Sequence, residues 1–217
     1  PNLVFGKLAD HVVVLMQGRI HPYEGNSPKL CTLPVRVMAL IGVKTLIATN
    51  AVGGINQNYN VGDFVVVKDH ISMPALGGLN PLVGHNDAAL GERFIPLSDA
   101  YDKELQALAH KVANDMGISK TVHSGVYFCN FGPCFESIAE CRFIQVVGGD
   151  IVGMSLTHEV TVARHMGLRV LAISLVTNKA VLCYDSTEKS NHLEVLETGK
   201  QKAEIMKKYV VEVLSNL

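Results

Sequence analysis

The chain has 217 residues, 48% hydrophobic and 18% charged, a composition that supplies one large α/β core. Nineteen basic residues against 20 acidic ones leave it near neutral, which weighs against a nucleic-acid or anionic-membrane surface. No apolar run is long enough to span a bilayer, no signal peptide heads the chain, and five cysteines without CxxC spacing suit free thiols in a reducing cytoplasm better than disulfides or zinc.

Residues 3–8 and 11–17 are apolar runs split by Ala9-Asp10, the pattern of a two-stranded hairpin. A polar, glycine-flanked loop over 18–25 follows, carrying Arg19, His21 and Tyr23. Residues 34–40 read as a helix stopped at Gly42. A continuous apolar strand over 45–49 gives way to Asn50-Ala51-Val52-Gly53-Gly54, and another over 64–67 leads into Lys68-Asp69-His70. Residues 74–96, rich in glycine, proline and asparagine, form a long surface loop, and loops of that length are usually functional. Ser98-Asp99 is expected to cap a helix running to Met116 and ending at Gly117.

The stretch around which the chain is organised comes next. Residues 126–131 read as a buried strand that Gly132-Pro133 stops, because proline gives the ladder no donor and turns its neighbour away from helix. Glu136 stands at the switch from this strand to the amphipathic run 137–144. Taken alone, it is an ordinary first-turn acid that complements a helix dipole. Gly153-Met154-Ser155 then closes a short strand, 159–166 is helical, and the strand 170–176 ends in Thr177-Asn178-Lys179. An amphipathic helix with lysines on its polar face occupies 193–217. Strands alternating with helices predict a mostly parallel sheet covered on both faces.

Polar residues follow nearly every buried strand: Arg19 and His21, Asn50, Asp69 and His70, Glu136, Ser155, Asn178. One such strand end is turn chemistry; so many in one sheet exceed what turns require. Parallel strands bring their carboxyl ends to one edge, where these side chains are expected to meet. Arg19, His21, Ser155 and the amides around residues 50–54 suit an anion, while Glu136 and Asn178 suit a heterocycle. No glycine-rich dinucleotide fingerprint, Walker loop or histidine-rich metal spacing is present, so a dinucleotide, triphosphate or metal cofactor is not expected.

Met16-Gln17-Gly18-Arg19-Ile20-His21-Pro22-Tyr23-Glu24-Gly25, Thr49-Asn50-Ala51-Val52-Gly53-Gly54, Gly132-Pro133-Cys134-Phe135-Glu136-Ser137, Gly153-Met154-Ser155 and Thr177-Asn178-Lys179 together resemble the trimeric purine nucleoside phosphorylases. The resemblance runs in order over essentially the whole chain. It implies one α/β domain over residues 1–217, with a mixed, mostly parallel, partly barrel-like sheet flanked by helices. It implies reversible attack of inorganic phosphate, as co-substrate, on the anomeric carbon of a purine nucleoside. By position, Arg19, His21, Asn50, Ala51 and Ser155 resemble phosphate ligands, and Tyr23, Met154 and His192 resemble ribose contacts. Glu136 and Asn178 would bind the purine, with Tyr127 and Phe135 along its face. Phe94 resembles the aromatic that reaches a neighbouring subunit's site, which implies a homotrimer.

Chemistry fits those roles without a protein nucleophile, since phosphate itself attacks an oxocarbenium-like sugar. Asn178, Glu136 and His21 are the catalytic candidates. An amide can accept a proton at purine N7 and donate to an oxygen at C6, and an ionised Glu136 can accept from N1–H. The expected substrates are therefore inosine and guanosine with their deoxy forms, in purine salvage. Competing readings are a 5′-methylthioadenosine phosphorylase, a noncatalytic nucleoside-binding homologue, and a Cys/His hydrolase built from Cys134 with His158 or His165. His70 is open between a supporting and a structural role. The family's upstream strand and Gly-Ser-Gly-Leu-Gly phosphate loop have no counterpart in residues 1–217, so a longer parent protein is expected. Val52, Cys129, Phe131, Cys134 and Leu156-Thr157-His158 depart from the family's usual residues.

Overall fold

The computed structural model describes residues 2–217. Strands β1 (Asn2–Leu8) and β2 (His11–Gln17) form the expected antiparallel hairpin, from Asn2 opposite Gln17 to Leu8 opposite His11. Helices α1 (Pro28–Cys31) and α2 (Leu33–Leu40) follow. The centre is a closed five-stranded barrel of β3 (Thr45–Gly54), β4 (Phe64–Ser72), β5 (Val122–Cys129), β6 (Ile151–Gly153) and β7 (Arg169–Lys179), in the order β3-β6-β5-β4-β7. The short α3 (Met73–Leu76) heads the long loop, and α4 (Lys103–Asp115), α5 (Ile138–Val146), α6 (Thr157–His165) and α7 (His192–Ser215) complete the chain.

The barrel is mixed. Pairs β3–β7, β4–β5 and β5–β6 are parallel, whereas β3–β6 and β4–β7 are antiparallel. The strand ends therefore do not share one edge, as the expectation from a parallel sheet had it. Closure removes sheet edges, and the polar residues converge by a different route. Strand β3 extends through Gly54 and crosses β6 head to tail, with Gly53 opposite Val152 and Gly54 opposite Ile151. Chain leaving β6 thus runs back along β3 and carries Met154-Ser155 toward Asn50-Ala51. A register shift between Val52 and Gly53 sets Asn178 of β7 opposite Gly53. A Cβ on Gly53 would lie 3.3 Å from Val152 and 3.5 Å from the Asn178 amide, so glycine there leaves that amide its place.

Strand β7 is apolar nearly throughout because both its faces are covered, and residues 170–178 are all buried. Val160 and Val162 of α6 join one core cluster with barrel residues, and α4 and α7 build another around Leu171 and Ile173. Tyr209 of α7 donates its buried hydroxyl to the Ala109 carbonyl of α4 at 2.8 Å, which locks those two helices together.

Helix α4 begins later than expected. Its cap is Asp102, which accepts from Leu105 N–H at 3.0 Å and also holds Arg169 through two bonds of 2.6 and 2.9 Å. Ala100 and Tyr101 must first pass through the core, at 2% and 3% exposure, and that keeps the preceding backbone out of the helix. Asp99 instead pairs with Arg164 at 2.9 Å. Tyr101 bonds His70 Nδ1 at 2.9 Å, which gives His70 a structural role.

Helix α5 starts where the pattern placed it, on a capping box: Ser137 Oγ accepts from Glu140 N–H at 3.3 Å while Glu140 accepts from Ser137 N–H at 2.7 Å. Ser137→Ala is expected to cost about 1 kcal/mol. In urea the unfolding midpoint should fall with an unchanged slope; an unmoved midpoint would show that the cap contributes nothing.

Candidate active site

One cavity of about 600 Å³ takes in most of the expected residues, those suited to an anion (Arg19, His21 and Ser155) together with those suited to a heterocycle (Glu136 and Asn178). Asn50, Ala51, Tyr23, Phe135, Met154 and His192 also line it. Separate cavities for Arg19 and Asn178 would have been incompatible with a single nucleoside and its attacker.

The anion end is built on a buried ion pair. Arg19 donates through Nε to Glu159 Oε1 at 2.9 Å and through Nη1 to the Thr49 carbonyl at 3.1 Å. Burial works to lower its pKa, and the charge and hydrogen bond of Glu159 more than reverse that, so Arg19 stays protonated. His21 stacks on Tyr23 with ring centroids 4.6 Å apart and planes 17° from parallel. Burial, with the neighbouring Arg19 cation, holds its imidazole below the ordinary pKa. A neutral donor beside a fixed guanidinium suits an anion that is already partly charge-matched. Asn50 accepts from Ser174 Oγ at 2.6 Å and keeps a buried Nδ2 with no partner among the described residues.

At the base end Asn178 is 4% exposed, and its Nδ2 donates to Ser190 Oγ at 3.2 Å. Its Oδ1 lies 3.4 Å from the Thr177 hydroxyl. Glu136 sits just before α5, and Oε1 accepts from Asn130 Nδ2 at 3.1 Å. Burial pushes the Glu136 carboxyl above its ordinary range, and the Asn130 bond opposes that. Between the two ends, Met154 lies against Gly132, whose backbone has φ +65° and whose place no side chain could take without striking the Met154 sulfur. Loop 186–191 leads into α7, capped by Asn191 through Glu194 N–H at 2.9 Å, and so brings Ser190 and His192 to the cavity.

Two expectations place residues where the structure does not. Tyr127 is fully buried and does not line the cavity, because strand alternation turns it into the barrel under Gly153. Its hydroxyl accepts from Ser155 N–H at 3.2 Å, so it supports the anion end rather than lying along a base. Phe94, whose expected place is a neighbouring subunit's site, is 85% exposed and outside this chain's own cavity. Asp69 and His70 also stand apart: the Asp69 carboxylate accepts from the His70 backbone N–H at 2.8 Å, and the His70 ring bonds Tyr101. A cysteine hydrolase has no support: His158 is buried with both ring nitrogens unpartnered among the described residues, burial takes its pKa down to about 4, and His165 is bonded to Asn86 at 3.0 Å.

Sequence reasoning missed Glu159, Ser190, Thr177 and Asn130. Glu159 and Ser190 look locally like a first-turn acid and a loop serine; their spacing to Ser155 and His192 was the available signal.

Comparison with known proteins bears on the whole chain. The family model described as the phosphorylase superfamily matches residues 2–215. The purine nucleoside phosphorylase of Bos taurus is 47% identical over 216 residues, spanning 100% of this chain and 75% of that protein. Purine nucleoside phosphorylase 1 of Geobacillus stearothermophilus is 48% identical over 217 residues, 100% of this chain and 76% of its own length. Solved structures of Schistosoma mansoni purine nucleoside phosphorylase in complex with inosine superpose with TM-score 0.98 at 51% identity, over 100% of this chain and 76% of that one. On this evidence, carried by sequence and by three-dimensional structure alike, the chain belongs to the phosphorylase superfamily and, within it, to the purine nucleoside phosphorylases.

Proposed function

We propose that the chain catalyses reversible phosphorolysis of 6-oxopurine ribonucleosides and deoxyribonucleosides, giving the free base and (deoxy)ribose 1-phosphate. The observation that carries this reading is one cavity lined by both Arg19 and Asn178. In it, phosphate binds against Arg19, His21, Asn50, Ala51 and Ser155, and the ribose lies between Tyr23, Met154 and His192. The purine is held by Glu136 and Asn178 with Phe135 beside it. Phosphate then approaches the anomeric carbon from the face opposite the base, and holding both reactants lowers the barrier through orientation. Phosphate is a second substrate, and the reaction asks for no resident cofactor or metal. Asn178, where a methylthioadenosine enzyme would be expected to carry aspartate, favours the 6-oxo substrates. Related Schistosoma enzymes are solved in complex with inosine, guanosine and hypoxanthine, which supports purine nucleosides as the class, and also with adenosine, so the 6-oxo preference rests on Asn178 and Glu136.

A homotrimer belongs to this reading, with the exposed ring of Phe94 reaching a neighbour's cavity. The free cysteines suit a reducing cytoplasm, as a salvage enzyme would need. The test is incubation with inosine with and without phosphate. Hypoxanthine and ribose 1-phosphate should form only with phosphate present. Hypoxanthine formed without phosphate would make the protein a hydrolase, and no product in either case would make it a binding module.

A further inference from the structure

Asn130 is held in a way that gives its amide one orientation. It is the residue directly after β5, and its backbone N–H donates to the Gly153 carbonyl at 3.0 Å, which fixes the Cα beside β6. Its Oδ1 accepts from Gly132 N–H at 3.2 Å. That bond identifies which end of the amide is oxygen, because a backbone N–H needs an acceptor. The NH₂ is thereby left facing Glu136 Oε1 at 3.1 Å, where it can only donate.

We propose that Asn130 is a positioning residue for the purine-binding carboxylate: it keeps Glu136 ionised and presents Oε2 to the N1–H of the base. The inference rests on the function proposed above and adds to it the residue that sets the working pH of the base end. A donor-only neighbour stabilises the carboxylate and gains nothing from the acid. A backbone hydrogen bond at Glu136 acts in the same sense as Asn130, whereas burial and the neighbouring side chains do not. Burial and the carboxylate of Glu140 both raise its pKa, and the Cys141 thiol that lines the same wall is itself pushed up to about 11 and stays neutral. Asn130 is therefore the side chain that counters them. A protonated Glu136 would meet N1–H donor to donor, so inosine turnover should fall as pH drops through the Glu136 pKa.

Asn130→Asp separates this role from turn-making. The variant keeps the oxygen that accepts from Gly132 N–H, so the loop retains its bond, while the donor becomes a second carboxylate against Glu136. Two such groups share a proton, and the apparent pKa of the pair rises. The acid limb of kcat/KM for inosine should move up by about one pH unit or more, with a loss of roughly tenfold or greater at pH 6 that shrinks as pH increases. A residue that only shapes the turn would leave the profile in place. Asn130→Leu removes the charge question and should shift the limb in the same direction by less. In a Glu136→Gln background neither substitution should move the profile, because the effect acts through that carboxylate. Wild-type inosine phosphorolysis is measured first: its absence overturns the proposed function, whereas normal turnover with the wild-type acid limb retained in Asn130→Asp overturns this inference alone. If Asn130→Asp does not fold, the Leu variant alone decides, by the same shift or its absence.

Discussion

Asn178→Asp is expected to lower kcat/KM for inosine by about 10²–10³, the usual effect of losing one donor aimed at developing negative charge. Negative charge moves onto the purine as the glycosidic bond breaks. In the proposed function the amide accepts from the proton at N7 and donates to O6, and both bonds would strengthen along the way, so they would act on kcat rather than on binding alone. Aspartate keeps the acceptor and loses the donor, setting a carboxylate oxygen against O6. With adenosine the sign reverses, since the 6-amino group donates and the carboxylate accepts. The inosine-to-adenosine ratio of kcat/KM should therefore collapse, by loss on one side and gain on the other. Ser190 and Thr177 would remain in place to donate to the new carboxylate, at the positions now 3.2 and 3.4 Å from the amide, so the fold should tolerate the change. Glu136 still disfavours adenine at N1, which limits the gain. An unchanged ratio would remove Asn178 from leaving-group activation.

Much of the site was legible because strand ends announce themselves. Asn50, Ser155 and Asn178 each follow an apolar run, and although one polar strand end is turn chemistry, several together point to a shared site. The residues that hold those groups were not legible. Glu159 looks like a first-turn acid, Ser190 like loop polarity, and nothing local in Asn130 distinguishes a turn residue from a support. Their meaning lies in pairs separated by long stretches of chain, such as Arg19 with Glu159 at a separation of 140 residues. Tyr127 shows the complementary error. Its place beside the Gly132-Pro133 break suggested the base, but a side chain's face is set by strand alternation, which turned it inward to Ser155 N–H. The barrel was hidden for a related reason: apolar strands read alike whether their neighbours run parallel or antiparallel, and β4–β7 and β3–β6 are antiparallel.

Glu159→Ala is expected to affect stability and phosphate use together, because the same bond serves both. Removing the carboxylate leaves the Arg19 cation in a site where burial already works against it. Breaking a buried pair from one side costs about 3–5 kcal/mol, and the lower end applies because the Arg19 side chain keeps 18% exposure. The denaturant midpoint in phosphate-free buffer should fall accordingly. Arg19 would also lose the acceptor that fixes Nε, leaving the Thr49 carbonyl as its anchor among the described residues. A guanidinium displaced by an ångström positions phosphate poorly, so the phosphate KM should rise roughly tenfold with a smaller change in the inosine KM. Bound phosphate stabilises the folded chain by RT ln(1 + [L]/Kd). A tenfold weaker affinity takes about 1.4 kcal/mol from that term once phosphate is well above both dissociation constants, so the increase in midpoint at one high phosphate concentration should be smaller in Glu159→Ala than in wild type. Glu159→Gln keeps an acceptor for Nε and should fall between the two on both measures. If Glu159→Ala unfolds at the wild-type midpoint and saturates at the wild-type phosphate concentration, Arg19 is held by something other than this pair, and the anion end needs a different foundation.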